Sequence, residues 1–240
     1  MKFKDKVVIV TGASHGIGQR IAVRFKDEGA HVVTLDIQGQ PDVSGDMGIQ
    51  EDVERLADYV LTTYGHVDVI VNNAKPVFKG LKNCGWAMFG CALDVGVLGP
   101  YYLVHLLQGH LGEGASVINI TSTRAHMSMP QSESYAAAKG GLEALTHALA
   151  MSLAGKARVN AIAPGWIDVN DEDLIEADNL QQAVGRVGNT DDIASLALYL
   201  AGDEAGFITG QSIAVDGGMS RQMIYHGEYG WSYDPEGDEN

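Results

Sequence analysis

The chain of 240 residues is 45% hydrophobic and 20% charged, which is the composition of an ordinary globular protein with one sizeable core. Its 31 acidic and 16 basic residues give a net charge of −15, which disfavours nucleic acid and anionic membrane surfaces as partners. No apolar stretch approaches the length of a membrane span, and Cys84 and Cys91 cannot form a disulfide framework. We therefore expect a cytoplasmic protein with reduced thiols.

Short apolar runs alternate with amphipathic segments along the chain. The first run is continuous and β-branched, which is typical of a strand buried on both faces of a parallel sheet. The predicted strands are Val7–Val10, His31–Asp36, Val67–Val71, Ser116–Thr121, Arg158–Ile162 and Ser212–Val215. The predicted helices are Gly16–Gly29, Glu51–Tyr64, Val97–Leu111, Ser134–Leu153 and Thr190–Leu200, with Ala74 to Asp94 left irregular. This alternation predicts a single Rossmann-type, doubly wound α/β domain over residues 1–220, with a mostly parallel sheet of about seven strands.

A glycine-rich turn, Thr11-Gly12-Ala13-Ser14-His15-Gly16-Ile17-Gly18, joins the first strand to the first helix. Such glycines permit a tight turn and let a pyrophosphate approach the helix N-terminus. Asp36 ends the second strand, where an acid can accept hydrogen bonds from the adenosine ribose of NAD and repel the 2′-phosphate of NADP. The sequence therefore predicts an NAD site, with a solvated strand end as the alternative interpretation of Asp36.

A tyrosine and a lysine lie four residues apart in a predicted helix, downstream of a serine at a strand end. The spacing of Tyr135 and Lys139 places both side chains on one helix face. An ammonium group beside a phenol favours the ionised phenol, so we expect Lys139 to lower the pKa of Tyr135 and to make it a proton relay. The hydroxyl of Ser122 can hydrogen-bond the substrate oxygen with which Tyr135 exchanges a proton.

The spacing of Gly12 and Gly16 resembles the short-chain dehydrogenase/reductase family, and the resemblance extends over roughly Lys6 to Gly218. Its other matching motifs are Asp46-Met47, Asn72-Asn73-Ala74, Pro164-Gly165, Gly185-Arg186-Val187-Gly188, Asp192-Ile193-Ala194 and Val215-Asp216-Gly217-Gly218. The resemblance implies an NAD-dependent oxidoreductase that interconverts a secondary alcohol and a ketone and that forms a homodimer or homotetramer.

The resemblance also assigns roles to single residues. Tyr135 would be the general acid/base, Lys139 would tune it and bind the nicotinamide ribose, and Ser122 would orient the substrate. The expected cofactor-binding residues are Gly12, Ser14, His15, Gly16, Ile17, Gly18, Asp36, Asp46, Met47, Asn73, Ala74, Tyr135, Lys139, Pro164, Gly165 and Ile167. No metal is expected.

Three positions depart from the family pattern. Gly96 stands where many members carry an asparagine that supports a proton-relay water chain, and Lys75 replaces the glycine of the Asn-Asn-Ala-Gly element. Val169 stands where a threonine often hydrogen-bonds the cofactor. Loss of that hydrogen bond would weaken cofactor binding by about 1 kcal/mol. These departures motivate an alternative function as a catalytically impaired NAD-binding sensor or scaffold. A nucleotide-sugar epimerase is disfavoured, since the chain is too short for a second domain.

The substrate is less constrained by the sequence. The loop after Pro164-Gly165 carries six acids, Asp168, Asp171, Glu172, Asp173, Glu176 and Asp178, which would disfavour anionic substrates unless they face solvent. Trp166, Met127 and Met129 are candidate pocket walls or core residues, and His126 is an ordinary loop histidine or a second acid/base. Neutral polyols or sugars and hydroxysteroid-like alcohols both stay open.

The segment 221–240 is treated as a separate acidic and aromatic tail. Its apolar side chains, Met223, Ile224, Tyr225, Tyr229, Trp231 and Tyr233, are too numerous for a purely solubilising end. We expect part of it to pack on the same or a neighbouring subunit.

Overall fold

The computed structural model describes residues 1–228, Gly230 and Ser232. Its strands are β1 Val7–Thr11, β2 His31–Asp36, β3 Val43–Ser44, β4 Val67–Asn72, β5 Leu111–Ile120, β6 Ala157–Pro164, β7 Ile167–Asp168, β8 Gly188–Asn189 and β9 Ser212–Val215. Its α-helices are α1 Gly16–Asp27, α2 Gln50–Tyr64, α3 Trp86–Leu93, α4 Gly99–Leu107, α5 Glu133–Ser152, α6 Glu176–Leu180 and α7 Thr190–Ala201.

Seven strands form one parallel sheet in the order β3-β2-β1-β4-β5-β6-β9. Side chains of the central strands alternate between two apolar clusters, one beneath α1 and α7 and the other beneath α2 and α4. Val8 and Val10 belong to the first cluster, whereas Val7 and Ile9 belong to the second. Because both faces are covered, β1 is apolar at successive positions, and the predicted Rossmann-type fold is confirmed.

The order of strands reverses between β1 and β4, which are direct neighbours. The connections that follow these two strands run to opposite faces of the sheet and leave a crevice at their carboxyl ends. The glycine-rich turn follows β1, Asn73 follows β4, and Ser122 follows β5. The topology therefore brings the predicted site residues to a single edge of the sheet.

The structure differs most from the sequence prediction between residues 86 and 115. A single helix over Val97–Leu111 was expected, but the segment is α3, a π-helical turn at Asp94–Leu98 and α4. Strand β5 begins at Leu111, five residues before the predicted start, because its first residues pair with β4 and β6. The short elements β3, β7, β8 and α6 were not predicted, since two to five residues show no periodicity.

The helical segment Trp86–Leu107 is 22 residues long and apolar enough to span a membrane by length and composition alone. The expectation that no stretch approaches that length is therefore wrong. One third of its most apolar window is buried within the chain. Core helices of globular proteins have the same length and composition, so this feature by itself is weak support for a membrane span.

The described part of the tail begins with a short 3₁₀ turn at Met219–Arg221. Met223 and Tyr225 are exposed in the single chain. Tyr229, Trp231 and Tyr233, which contributed to the predicted packing of the tail, lie outside the described residues. Packing of the tail on another subunit stays a prediction.

The close approach of α1 to the glycine-rich turn can be tested at Gly18. A Cβ there would collide with the carbonyl oxygen of Gly12 and the side-chain amide of Asn73. We expect Gly18→Ala to lower the free energy of unfolding by about 1–3 kcal/mol in urea titrations, because overpacking forces the backbone to shift.

Gly90→Ala is the matched control, since a Cβ on this α3 glycine meets no atom of the described residues within 4 Å. Helix propensity alone predicts a gain of up to about 1 kcal/mol at Gly90. Equal effects of the two substitutions would contradict the close approach.

Candidate active site

The glycine-rich turn forms a concave lip at the N-terminus of α1. Gly12 and Gly16 have φ angles of +64° and +57°, in the region that favours glycine, and a Cβ on Gly12 would lie 2.8 Å from the Cα of Ala74. His15, the residue before α1, lacks a side-chain cap on the first turn of the helix. The free N–H groups of this turn are therefore available to an anionic group such as a pyrophosphate.

Asp36 lies beside this lip at the end of β2 and is only 4% exposed. Its carboxylate accepts hydrogen bonds from the backbone N–H of Ser14 at 2.9 Å and of Gln38 at 3.1 Å. These bonds fix the carboxylate towards the cleft, where it can also accept from ribose hydroxyls. The ring nitrogen Nδ1 of His15, another predicted cofactor-binding residue, lies 3.1 Å from the side-chain amide nitrogen of Gln38, so its ring is anchored as well.

The side chain of Asn73 is turned towards the glycine-rich turn. Its amide donates to the carbonyl oxygens of Thr11 at 3.1 Å and Gly12 at 2.8 Å, and its backbone N–H donates to the Thr11 hydroxyl. Ser14 and Gly18 also support the turn. The backbone N–H of Ser14 donates to Asp36, and Gly18 packs closely against Gly12 and Asn73. Asn73, Ser14 and Gly18 therefore shape the turn.

A cleft of about 850 Å³ connects the lip to the end of β5. Most of the predicted site residues line it: Gly12, His15, Gly16, Ile17, Asp36, Asp46, Met47, Asn73, Ala74, Ser122, Tyr135, Lys139, Pro164, Gly165 and Ile167. The shape, the free helix N-terminus and the buried acid fit a nicotinamide dinucleotide.

Ser122, Tyr135 and Lys139 converge at the β5 end of the cleft. Ser122 is 7% exposed, its Oγ accepts the Arg124 backbone N–H at 3.2 Å, and its hydroxyl lies within hydrogen-bond reach of the Tyr135 phenol. The Lys139 ammonium lies 5.6 Å from the centre of the Tyr135 ring. Strand β5 and helix α5 thus present the three side chains to one space.

The electrostatics of Tyr135 differ from the sequence expectation. Burial raises the pKa of the Tyr135 phenol above its usual value, while the Ser122 hydroxyl and the Arg124 charge oppose this rise. The expected lowering of the phenol's pKa by Lys139 does not occur within this chain. The reason is that desolvation of the Tyr135 phenol, which disfavours its ionised form, outweighs the groups that favour it.

Lys139 is 3% exposed, and its ammonium donates a 2.6 Å hydrogen bond to the Ile120 carbonyl. Burial, followed by repulsion from Lys75, lowers the pKa of Lys139 to about 7. A lysine whose protonation changes near neutral pH can take up or release a proton beside Tyr135.

Gly96 lies in the π-helical turn next to this lysine. A Cβ on Gly96 would lie 2.7 Å from the Cβ of Ala138 and 3.4 Å from Pro76, so an asparagine does not fit here without a shift. The Ile120 carbonyl is the hydrogen-bond partner that the structure provides for Lys139. Close packing of α5 against the π-helical turn therefore accounts for the small residue at position 96.

The substrate end of the cleft is largely apolar. Trp166, Met127 and Met129, which the sequence left open between wall and core, all line it, together with Val169 and Phe78. His126 does not line it; its ring nitrogen Nε2 lies 2.9 Å from a Glu143 carboxylate oxygen on the surface. The structure thus separates the wall residues from the loop histidine.

The acids of the loop after β7 do not line the cleft. Asp168 accepts backbone N–H groups of Asn170 and Glu172, and Asp178 accepts that of Ile175. Asp171, Glu172, Asp173 and Glu176 are exposed. The acids that were expected to form a rim therefore do not form part of the cleft wall, and four of the six face solvent.

Arg124 is the cleft residue that sequence reasoning missed. It follows Ser122 by two positions on the 3₁₀ turn Thr123–Ala125, and its guanidinium carbon lies 4.9 Å from the centre of the Phe78 ring. Phe78 in turn lies 5.2 Å from the Tyr135 ring. The position of Arg124 two residues after Ser122 could have indicated that it lies near the site. The packing of Phe78 against it could not be predicted, because Phe78 lies in an irregular loop.

The fold and the cleft define a Rossmann-type oxidoreductase. A family model described as enoyl-(acyl carrier protein) reductase matches residues 12–220. An uncharacterized oxidoreductase of Thermotoga maritima is 38% identical, over 92% of this chain and 98% of its own length. These matches show that the chain belongs to the short-chain dehydrogenase/reductase family.

Solved structures agree with this membership. An apo SCOR enzyme from Clostridium thermocellum has a TM-score of 0.89 and 39% identity, covering 96% of this chain and 98% of that one. A ligand-free aldohexose dehydrogenase of Thermoplasma acidophilum has a TM-score of 0.86 and 30% identity, covering 93% and 97%. The similarity therefore extends over almost the whole of each chain.

The buried ammonium of Lys139 predicts a pH dependence of stability. Because the pKa of Lys139 is about 7 in the folded chain and near 10.5 when unfolded, the folded state disfavours the proton. The resulting cost to stability is fully present below pH 7 and is relieved as the pH rises towards 10.5. Lys139→Met, which removes this cost, should therefore stabilise the protein more at pH 6 than at pH 10 in urea unfolding.

Lys26→Met, at an exposed position of α1, is the control and should show no such difference between the two pH values. A stabilisation of Lys139→Met that is constant with pH would contradict the buried titration.

Proposed function

We propose that this protein is an NAD-dependent dehydrogenase/reductase that interconverts a secondary alcohol and its ketone. The observation that carries the proposal is the convergence of Ser122, Tyr135 and Lys139 at the end of a cleft whose other end holds Asp36. A protein that only bound a dinucleotide would have no use for a buried phenol and a lysine with a pKa near 7.

The cofactor assignment depends on the fit of the cleft. NAD, when bound, supplies the hydride in reduction and accepts it in oxidation. The lip at the N-terminus of α1 is suited to the pyrophosphate and Asp36 to the adenosine ribose, while Asp46 and Met47 extend the wall beyond it. Pro164, Gly165 and Ile167 form the wall on the side of Lys139.

In oxidation, neutral Lys139 first takes up the phenolic proton of Tyr135. The resulting phenolate oxygen then accepts the proton of the substrate hydroxyl while the carbinol C–H bond breaks, and its electron pair leaves as a hydride that bound NAD⁺ would accept. Ser122 donates its hydroxyl proton to the substrate oxygen and holds it beside Tyr135. Lys139 exchanges a proton with the Tyr135 side of the cleft, with the Ile120 carbonyl fixing its position. Reduction reverses these steps.

Removing the phenolic oxygen distinguishes catalysis from binding. We expect Tyr135→Phe to lower kcat by about 10²–10⁴-fold while the Kd for NAD stays nearly unchanged, because the hydroxyl transfers a proton and the ring keeps its packing on Phe78. Nicotinamide absorbance and calorimetry measure the two quantities. Tyr199→Phe, on the exposed surface of α7, is the control.

Should wild-type protein bind NAD tightly and turn over no alcohol or ketone in either direction, the sensor or scaffold alternative would replace this proposal. The screen includes neutral polyols, sugars and hydroxysteroids as well as acids. The aldohexose dehydrogenase among the structural relatives supports alcohol oxidation on this scaffold.

The carboxylate of Asp36 is expected to select NAD over NADP. Asp36→Asn keeps an acceptor for the Ser14 N–H but removes the charge that repels a 2′-phosphate. The ratio of the Kd for NADP to the Kd for NAD should fall at least about ten-fold in calorimetric titrations. Asp27→Asn at the exposed end of α1 controls for net charge, and an unchanged ratio in Asp36→Asn would refute the assignment.

A homodimer or homotetramer in the cytoplasm is part of the same proposal. The apolar side chains of Trp86, Leu98 and Tyr101 on the segment Trp86–Leu107 are exposed in the single chain, at 96%, 54% and 44%. Burial of this surface against a second copy would remove them from water.

A further inference from the structure

Arg124 carries a guanidinium group without an anionic partner in the wall of the cleft. The residue is half-buried, and its Nη1 atom is shielded from solvent and has no hydrogen-bond partner within the described chain. Its Nη2 atom donates to the sulfur of Met129 at 2.9 Å, which is a weak acceptor. A buried N–H donor without a strong acceptor is unfavourable, so a ligand in the cleft that draws the guanidinium towards it and accepts its hydrogen bonds would relieve this cost.

Other arginines of the chain are paired differently. Four of the six others, Arg20, Arg24, Arg55 and Arg186, form ion pairs with aspartates, and Arg158 donates to the backbone carbonyls of Leu200 and Gly202. Over residues 1–228, no carboxylate lies within ion-pair distance of the Arg124 guanidinium. A positive charge is thus kept unneutralised beside the reacting groups in a chain whose net charge is −15.

Two contacts orient this charge. The guanidinium carbon lies 4.9 Å from the centre of the Phe78 ring. The centres of the Phe78 and Tyr135 rings are in turn 5.2 Å apart. Phe78 packs on one side of the guanidinium, and Arg124 lines the cleft. The planar set of N–H donors of an arginine matches the two oxygens of a carboxylate.

The charges around the site reinforce the same preference. Lys75 also lines the cleft, whereas the acids of the loop after β7 do not. The two acids of the cleft wall lie on the other side of β1 from Ser122, since Asp36 ends β2 and Asp46 follows β3. Burial raises the pKa of Tyr135, and the Arg124 charge opposes this rise, so the guanidinium lies close enough to the phenol to act on it.

We propose that Arg124 is a specificity-determining residue that binds a carboxylate of the substrate, so that the substrate is a hydroxy acid and the product the corresponding oxo acid. This inference rests on the proposed dehydrogenase function and deepens it. It replaces the neutral polyol, sugar or steroid expected from the sequence, because that expectation depended on acids that do not form part of the cleft wall.

The test compares each hydroxy acid of a short aliphatic panel with its methyl ester, using NAD and nicotinamide absorbance. We expect wild-type protein to prefer the acids in kcat/KM. Arg124→Gln should reduce that preference at least about ten-fold, because a charge-assisted hydrogen bond is lost. Arg124→Lys should reduce the preference less, since lysine keeps the positive charge but cannot form the paired hydrogen bonds of a guanidinium.

Arg20→Gln is the matched control, because it removes the same charge outside the cleft and leaves Asp191 paired with Arg24. It should keep the wild-type preference. Circular dichroism spectra establish that each variant is folded, and Arg124→Lys supplies the answer if Arg124→Gln does not fold.

A binding measurement separates this inference from the proposed function. Butanoate and butanol are titrated by calorimetry into the Tyr135→Phe protein with NAD present, where no turnover is needed. Tighter binding of butanoate that is lost in Arg124→Gln supports the carboxylate site, even if no substrate is turned over and the dehydrogenase proposal fails.

Several results would overturn the assignment. Equal kcat/KM for acids and esters would do so, as would an unchanged preference in Arg124→Gln. Loss of the preference in Lys75→Met alone would move the anion site to Lys75. A response to phosphorylated alcohols but not to carboxylates would show that the site takes phosphate.

Discussion

The site depends on one constraint of the sheet, which is that β1 pairs in parallel with both β2 and β4. A strand in this position has both faces covered and all its backbone groups paired, so its carboxyl end is a rigid edge. The chain reverses its winding at this edge, and the crevice that results is where the glycine-rich turn faces Asn73. Every functional side chain is placed relative to that edge.

Burial of charge is the second determinant of the chemistry. Lys139 donates to the Ile120 carbonyl inside the protein, and burial, followed by repulsion from Lys75, lowers its pKa to about 7. Tyr135 is also desolvated, which raises its pKa, so the two groups do not interact as a simple exposed pair would. The Arg124 charge partly opposes this rise, and Phe78 packs between Arg124 and Tyr135. The site therefore combines apolar walls with a small number of strongly perturbed groups.

Much of the fold could be predicted from the sequence because its strands are continuous apolar runs and its long helices are amphipathic. The bounds of His31–Asp36 and Ser212–Val215 agree between prediction and structure. The segment from Trp86 to Leu98 could not be predicted, since a π-helical turn follows no regular hydrophobic period and is stabilised by the packing of Gly96 against Ala138. The early start of β5 depended on pairing with neighbours that are distant in the sequence.

By itself, the sequence determined the family, the Rossmann-type fold and the identity of the residues that converge on the cleft, because motif spacing at strand ends reflects local backbone requirements. Only the tertiary structure decided which charges act in the cleft. It kept the acids of the 168–178 loop out of the cleft wall, left Arg124 unpaired on Phe78, and buried Lys139 so that its pKa fell. Such effects depend on distance and desolvation between elements that are far apart along the chain, and no local pattern specifies them.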